Sequence, residues 1–102
     1  MPMPTVADLV EETALEVLTG RDALSAGRAL AVRGSVTFVV FEPERAVAEV
    51  IDRGDRAHVE LAVAGSKLEW SCDCRRGAAA GACRHVAAAG IEARRRSPRR
   101  RA

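Results

Sequence analysis

The run Cys72-Asp73-Cys74, followed after eight residues by Cys83-Arg84-His85, constrains this chain more than any other feature. All three cysteines, and one of the two histidines, fall between positions 72 and 85 of a 102-residue sequence. Inert core cysteines have no reason to gather in this way. There is no C-x-x-C for a redox pair. A cysteine nucleophile with His85 as its base would lack both an orienting acid and an oxyanion site. On a strand, residues i and i+2 point to the same side, so Cys72 and Cys74 can bring both sulfurs to one point as the strand ends. Gly77 and Gly81 let the connecting loop fold back. Cys83 and His85 then open a helix, whose first-turn amides favour a thiolate. Three thiolates and one imidazole complete a tetrahedral shell for one structural zinc ion. With four protein ligands no coordination position stays open, so metal catalysis is not expected, nor a small-molecule substrate.

Composition supports a metal staple. Hydrophobic residues make up 48 %, enough for a globular core, but aromatics contribute 3 % (Phe38, Phe41 and Trp70) and much of the rest is alanine. Such a core is expected to be thin at roughly 25 cal/mol per Å² of apolar surface buried, and small domains of this kind lean on disulfides or metals. Three cysteines cannot all pair. The first seventeen residues carry acids and no basic stretch before their apolar positions, and no apolar run approaches a membrane span. The expectation is a reduced, cytoplasmic protein.

Pro4-Thr5-Val6-Ala7-Asp8 reads as a helix start, with Thr5 as N-cap and Asp8 at N3. Val6, Leu9, Val10, Ala14, Val17 and Leu18 keep helical spacing up to a stop at Gly20. A second helix is expected from Asp22 as N-cap through Leu24, Arg28, Leu30 and Val32 to Gly34. The period then changes to that of strands at 35–41, 46–51, 57–63 and 67–72, separated by short turns. Val59, Leu61 and Val63 share one side of the third strand, with His58 on the polar side as a solvated residue. Leu68, Trp70 and Cys72 share the inner side of the fourth. The fold class is α+β: N-terminal helices on a four-stranded antiparallel meander, with a short helix at the end. One domain is expected over 1–93, with a disordered Arg-rich tail over 94–102.

The net charge of +2 hides an asymmetry. From position 75 onward nine arginines face only Glu92, whereas residues 1–74 hold seven bases and thirteen acids. A zinc ion with three thiolates carries −1, which Arg75, Arg76 and Arg84 are placed to offset with hydrogen bonds to sulfur. Together with Arg94, Arg95, Arg96, Arg99, Arg100 and Arg101, they are candidate phosphate contacts for DNA or RNA. No aromatics are interleaved, so stacking on single strands is not supported. The competing reading is a protein-interaction adaptor, because the acidic part of the chain repels phosphate.

C-x-C-x(n)-C-x-H between a strand and a helix resembles the SWIM zinc finger, and Cys83-Arg84-His85-Val86-Ala87-Ala88 is similar to the ending of that motif. Gly27-Arg28-Ala29-Leu30-Ala31-Val32-Arg33-Gly34-Ser35-Val36 resembles the glycine-arginine helix and strand preceding the finger in many bacterial members. The resemblance implies a ββα finger over about 67–92, zinc on Cys72, Cys74, Cys83 and His85, and a DNA-binding or protein-interaction role. It also implies a partner such as a Snf-type ATPase on another chain, since no G-x-x-x-x-G-K-[ST] is present here. Gly90 departs from the bulkier residue more usual there, which suggests looser packing of the last turn.

Overall fold

The computed structural model describes residues 4–74 and 83–96. Among these residues, four helices and a four-stranded antiparallel sheet make up an α+β fold. The chain enters α1 (Val6–Leu9) through a capping box. Asp8 Oδ2 accepts from the Thr5 amide at 2.9 Å, and Thr5 Oγ1 accepts from the Asp8 amide at 3.2 Å. The Val6 amide donates to the Pro43 carbonyl at 2.7 Å and ties this helix to a sheet turn.

The single helix expected over Val6 to Leu18 is two helices. It breaks at Val10 and Glu11, and α2 spans Glu12–Thr19. No Gly or Pro marks the break; the burial pattern explains it. In an unbroken helix Leu15 would stand roughly 140° around the axis from Val10. With the break, Val6, Val10 and Leu15 all reach the core, and Val17 turns out to solvent at 85 % exposure. Gly20 ends α2 with φ 90°, a conformation glycine adopts without strain. The next helix, α3 (Arg21–Val32), follows with Gly20 rather than Asp22 as its N-cap; Asp22 lies in the first turn, where the helix dipole favours an acid. Leu24, Gly27, Leu30 and Ala31 face inward, whereas Val32 is exposed. Arg28 reaches Glu12 of α2.

The meander is as the alternation requires: β1 (Val36–Glu42), β2 (Arg45–Asp52), β3 (Asp55–Ala64) and β4 (Lys67–Cys72), paired in that order. Val36, Ala46, Ala48, Val50, Ala57, Val59, Leu61 and Cys72 supply its buried face. Phe38 and Phe41, three residues apart on a strand, would ordinarily point to opposite faces. A register shift between Phe38 and Val40 places them opposite Ala48 and Ala46 on the same face, with ring centroids 4.7 Å apart.

The last helix, α4 (Arg84–Arg96), is the centre of the molecule rather than a short appendage: it packs against every strand and all three other helices. Its Val86, Ala87, Ala88, Ala89 and Ala93 are fully buried. The alanines therefore let neighbours come close instead of thinning the core. A Cβ at Gly27 of α3 would sit 2.7 Å from Ala87 Cβ and 2.7 Å from the Ala88 nitrogen. A Cβ at Gly90 would sit 2.9 Å from Leu15 Cδ2, so the expectation of loose packing there is corrected: Gly90 is the seat of Leu15.

Helix α4 also continues through Arg94, Arg95 and Arg96, past the start of the expected tail. Arg94 donates to the Ala7 carbonyl at 3.1 Å, and buried Glu92 accepts from Arg95 at 3.1 Å and Arg96 at 2.8 Å. Residues 97–102 of that tail lie outside the described residues.

Candidate metal centre

Strand β4 ends on Cys72, which pairs with Val59 of β3. The ladder is carried one residue further by Asp73. Its amide donates to the His58 carbonyl at 3.2 Å, and its carboxylate accepts from the His58 amide at 2.8 Å and Nδ1 at 2.9 Å. This clamp fixes the strand direction through the C-x-C, leaving Cys72 and Cys74 on one side. Across the gap, Cys83 occupies the position just before α4. Its carbonyl accepts from the Ala87 amide at 3.1 Å, and the nearby Val86 amide favours its thiolate. Cys83 thus stands at the helix start, the place where serine or aspartate is usual. His85 follows in the first turn.

These elements bring the four expected ligands together: one ligand atom from each of Cys72, Cys74, Cys83 and His85 lies within 4.8 Å of all the others. Cys74 Sγ is 3.5 Å from Cys83 Sγ, and His85 Nδ1 is 3.8 Å from Cys72 Sγ and 3.7 Å from Cys83 Sγ. A tetrahedral shell with Zn–S near ~2.3 Å and Zn–N near ~2.0 Å has edges of roughly 3.6 to 3.8 Å. The three edges just given lie close to those of such a shell, and all four donors are near enough to close on one ion. Cys72 and Cys83 are buried and Cys74 is half-buried.

The protonation of the group is that of a thiolate site. The hydrogen bond from Cys72 brings Cys83 down to about 3, with help from His85 and the Val86 amide against the cost of burial. Cys72 is driven upward by its bond to Cys83 and then by burial. His85 is raised to about 9, first by Cys83 and then by Asp52, against burial. Cys83 favoured as thiolate beside a Cys72 thiol and a protonated His85 is an arrangement that a divalent cation can replace, releasing protons.

Asp52 is the residue that sequence reasoning missed. It stands at the end of β2, its side chain 10 % exposed, and Oδ2 accepts from both His85 Nε2 at 2.8 Å and Arg84 Nε at 2.7 Å. Burial pushes its carboxyl upward, but the bonds from His85 and Arg84 outweigh that and hold it below the ordinary range. A signal was available in the alternation: Ala46, Ala48, Val50 and Asp52 share one face, and an acid on a core face needs a partner. Asp73 and Glu92 were overlooked for the same reason, since each acts through a partner distant in sequence or one helical turn away.

The other expected site residues fall differently. Arg84 turns to Asp52, not to the sulfurs. Arg94 is taken by Ala7 and lies 3.9 Å from Glu11, Arg95 and Arg96 by Glu92, and Arg96 also stands 5.8 Å over the Phe38 ring. Arg75, Arg76, Arg99, Arg100 and Arg101 lie outside the described residues. His58 is half exposed and is not among the four clustered donors, but besides Asp73 it pairs with Glu49 at 3.5 Å. Among the described residues, no helix is long and apolar enough to cross a membrane. No family profile, curated protein or solved structure matches the chain.

Proposed function

We propose that this chain is a SWIM-type accessory module in which Cys72, Cys74, Cys83 and His85 hold one structural zinc ion, and that it has no catalytic activity of its own. The observation that carries the reading is the gathering of all four donors within 4.8 Å, with three of their separations, 3.5 to 3.8 Å, close to tetrahedral edges. Two ligands at a strand end and two at a helix start agree with a ββα finger. The glycine of the upstream glycine-arginine segment, Gly27, packs directly on the ligand-bearing helix, which supports extending the resemblance back through α3. Elemental analysis should give one zinc per chain after metal-replete purification. A value far below one sinks the reading.

For what the module touches, the arrangement of charge favours a protein partner, such as the ATPase the resemblance implies. Within the net charge of +2, residues 1–74 set thirteen acids against seven bases, and Arg84, Arg94, Arg95 and Arg96 are engaged by their own chain. Non-specific nucleic-acid binding then falls to Arg75, Arg76, Arg99, Arg100 and Arg101. Five phosphate contacts on B-DNA would give a salt slope of about −4.5 in log K against log salt. Duplex titrations at two salt concentrations, with those five arginines intact and replaced by glutamine, decide the matter. Equal and poor binding by both forms leaves the adaptor; a steep slope lost on substitution establishes the nucleic-acid role.

A further inference from the structure

We propose that Asp52 is a positioning residue for the metal: it fixes the His85 ring with Nδ1 toward the sulfurs and builds the β2–β3 hairpin into the site without supplying a ligand. The inference rests on the zinc reading and concerns how one ligand of that site is set. Both ring nitrogens of His85 are committed in opposite directions. Nδ1 faces Cys72 and Cys83 at 3.8 and 3.7 Å, while Nε2 lies 2.8 Å from Asp52 Oδ2. A carboxylate oxygen can only accept here, so Nε2 keeps its proton, and the proton released on metal binding leaves from Nδ1, whose lone pair then faces the metal. The same oxygen takes Arg84 Nε at 2.7 Å, so the carboxylate cannot turn without breaking a second bond.

Asp52 is itself held from behind. It pairs with Asp55 across a tight turn in which Arg53 and Gly54 both have positive φ, 56° and 84°. That conformation matches the twist of a two-residue hairpin and sets where β2 ends. A metal bound by β4 and α4 is thereby joined, through the imidazole, to a hairpin that precedes the motif by about twenty residues. An Asp52 that served only as the partner of Arg84 would have no need to meet the far side of a ligand ring.

The test compares zinc-loaded wild type with Asp52→Asn and Asp52→Ala, using Val50→Ala as a control. Val50 is fully buried on the same strand and shares no hydrogen bond with His85, so it lowers stability without touching the ligand. Competition with a chromogenic chelator should show zinc held about 10- to 100-fold more weakly in Asp52→Asn. Histidine ring ¹⁵N spectra should show a zinc-bound Nδ1 and a slowly exchanging Nε2 proton in wild type and in Val50→Ala. That proton should exchange faster in Asp52→Asn, and faster still in Asp52→Ala. If Asp52→Ala does not fold, Asp52→Asn alone decides. Zinc affinity in Asp52→Asn equal to wild type, or an equal loss in Val50→Ala, overturns the assignment while the zinc site stands. A wild-type chain that takes up no zinc overturns the site and the assignment together.

Discussion

The N-terminal turn of α4 is held by polar chemistry: sulfur from Cys83, imidazole from His85 and, behind them, the carboxylate of Asp52. Its second half is held by hydrocarbon seated on a glycine, with Leu15 and Val10 against Gly90. The first attachment is directional, its donors close in sequence apart from Asp52; the second is assembled from residues some 75 positions away and depends on shape. An alanine-rich helix needs both. Its own side chains bury too little to fix its rotation, so the Cys/His cluster with Asp52 holds one end and a close approach holds the other.

The largest expected effect breaks the first attachment. Structural zinc contributes roughly 10–16 kcal/mol in finger peptides, as much as the whole net stability of an ordinary domain. Because α4 touches every other element, chelation should abolish amide protection in α3 and β2 as well as from Trp70 onward. Hydrogen exchange with and without a strong chelator measures this, and Cys83→Ser should reproduce it. Surviving protection in α3 would mean that the two attachments are independent.

Leu15→Ala attacks the second attachment. It should cost about 2–5 kcal/mol in denaturant unfolding while the zinc content stays at one equivalent. Val17→Ala, one helical step away and exposed, should change stability by less than about 0.5 kcal/mol. Reversed values would restore the unbroken helix.

Gly27→Ala comes next. The added methyl meets backbone at the ligand end of α4, the Ala88 nitrogen at 2.7 Å and the Arg84 carbonyl at 2.8 Å. A loss of about 1–3 kcal/mol is expected, with faster zinc release in a chelator chase. Gly90→Ala meets the tip of Leu15 at 2.9 Å and Val10 Cβ only at 3.4 Å, and the helix-propensity gain of about 1 kcal/mol offsets part of the strain. It should leave zinc release unchanged.

The smallest effect belongs to His58→Ala. The ring is exposed, and the backbone bonds between positions 58 and 73 survive its removal, so zinc content and melting temperature should stay close to wild type. A marked loss of zinc would show that the side-chain contact with Asp73, not the ladder, holds the C-x-C in place.

What could be read in advance was what depends on near neighbours. Thr5 and Asp8 lie within one turn, so their capping box follows from spacing. The alternation at Leu68, Trp70 and Cys72 sets the inner face of β4, with Cys72 fully buried at its end. The break at Val10, by contrast, carries no local mark, since Leu15 turns inward only because Gly90 offers it a seat. Phe38 and Phe41 share a face only because the pairing of β1 with β2 slips by one residue, which neither strand announces. The arginines at 94–96 read as a solvated charge run until Glu92, Ala7 and Phe38 are seen beside them.

By itself the sequence determined the donor set, the period of each strand and the order of the meander, because each follows from which side chains a regular backbone aims the same way. Tertiary structure alone decided that the alanine helix is central, that Asp52 stands behind His85, and that Val17 turns out to solvent while Leu15 turns in. Those outcomes depend on surfaces brought together from distant parts of the chain, and no local period encodes the shape of a neighbour.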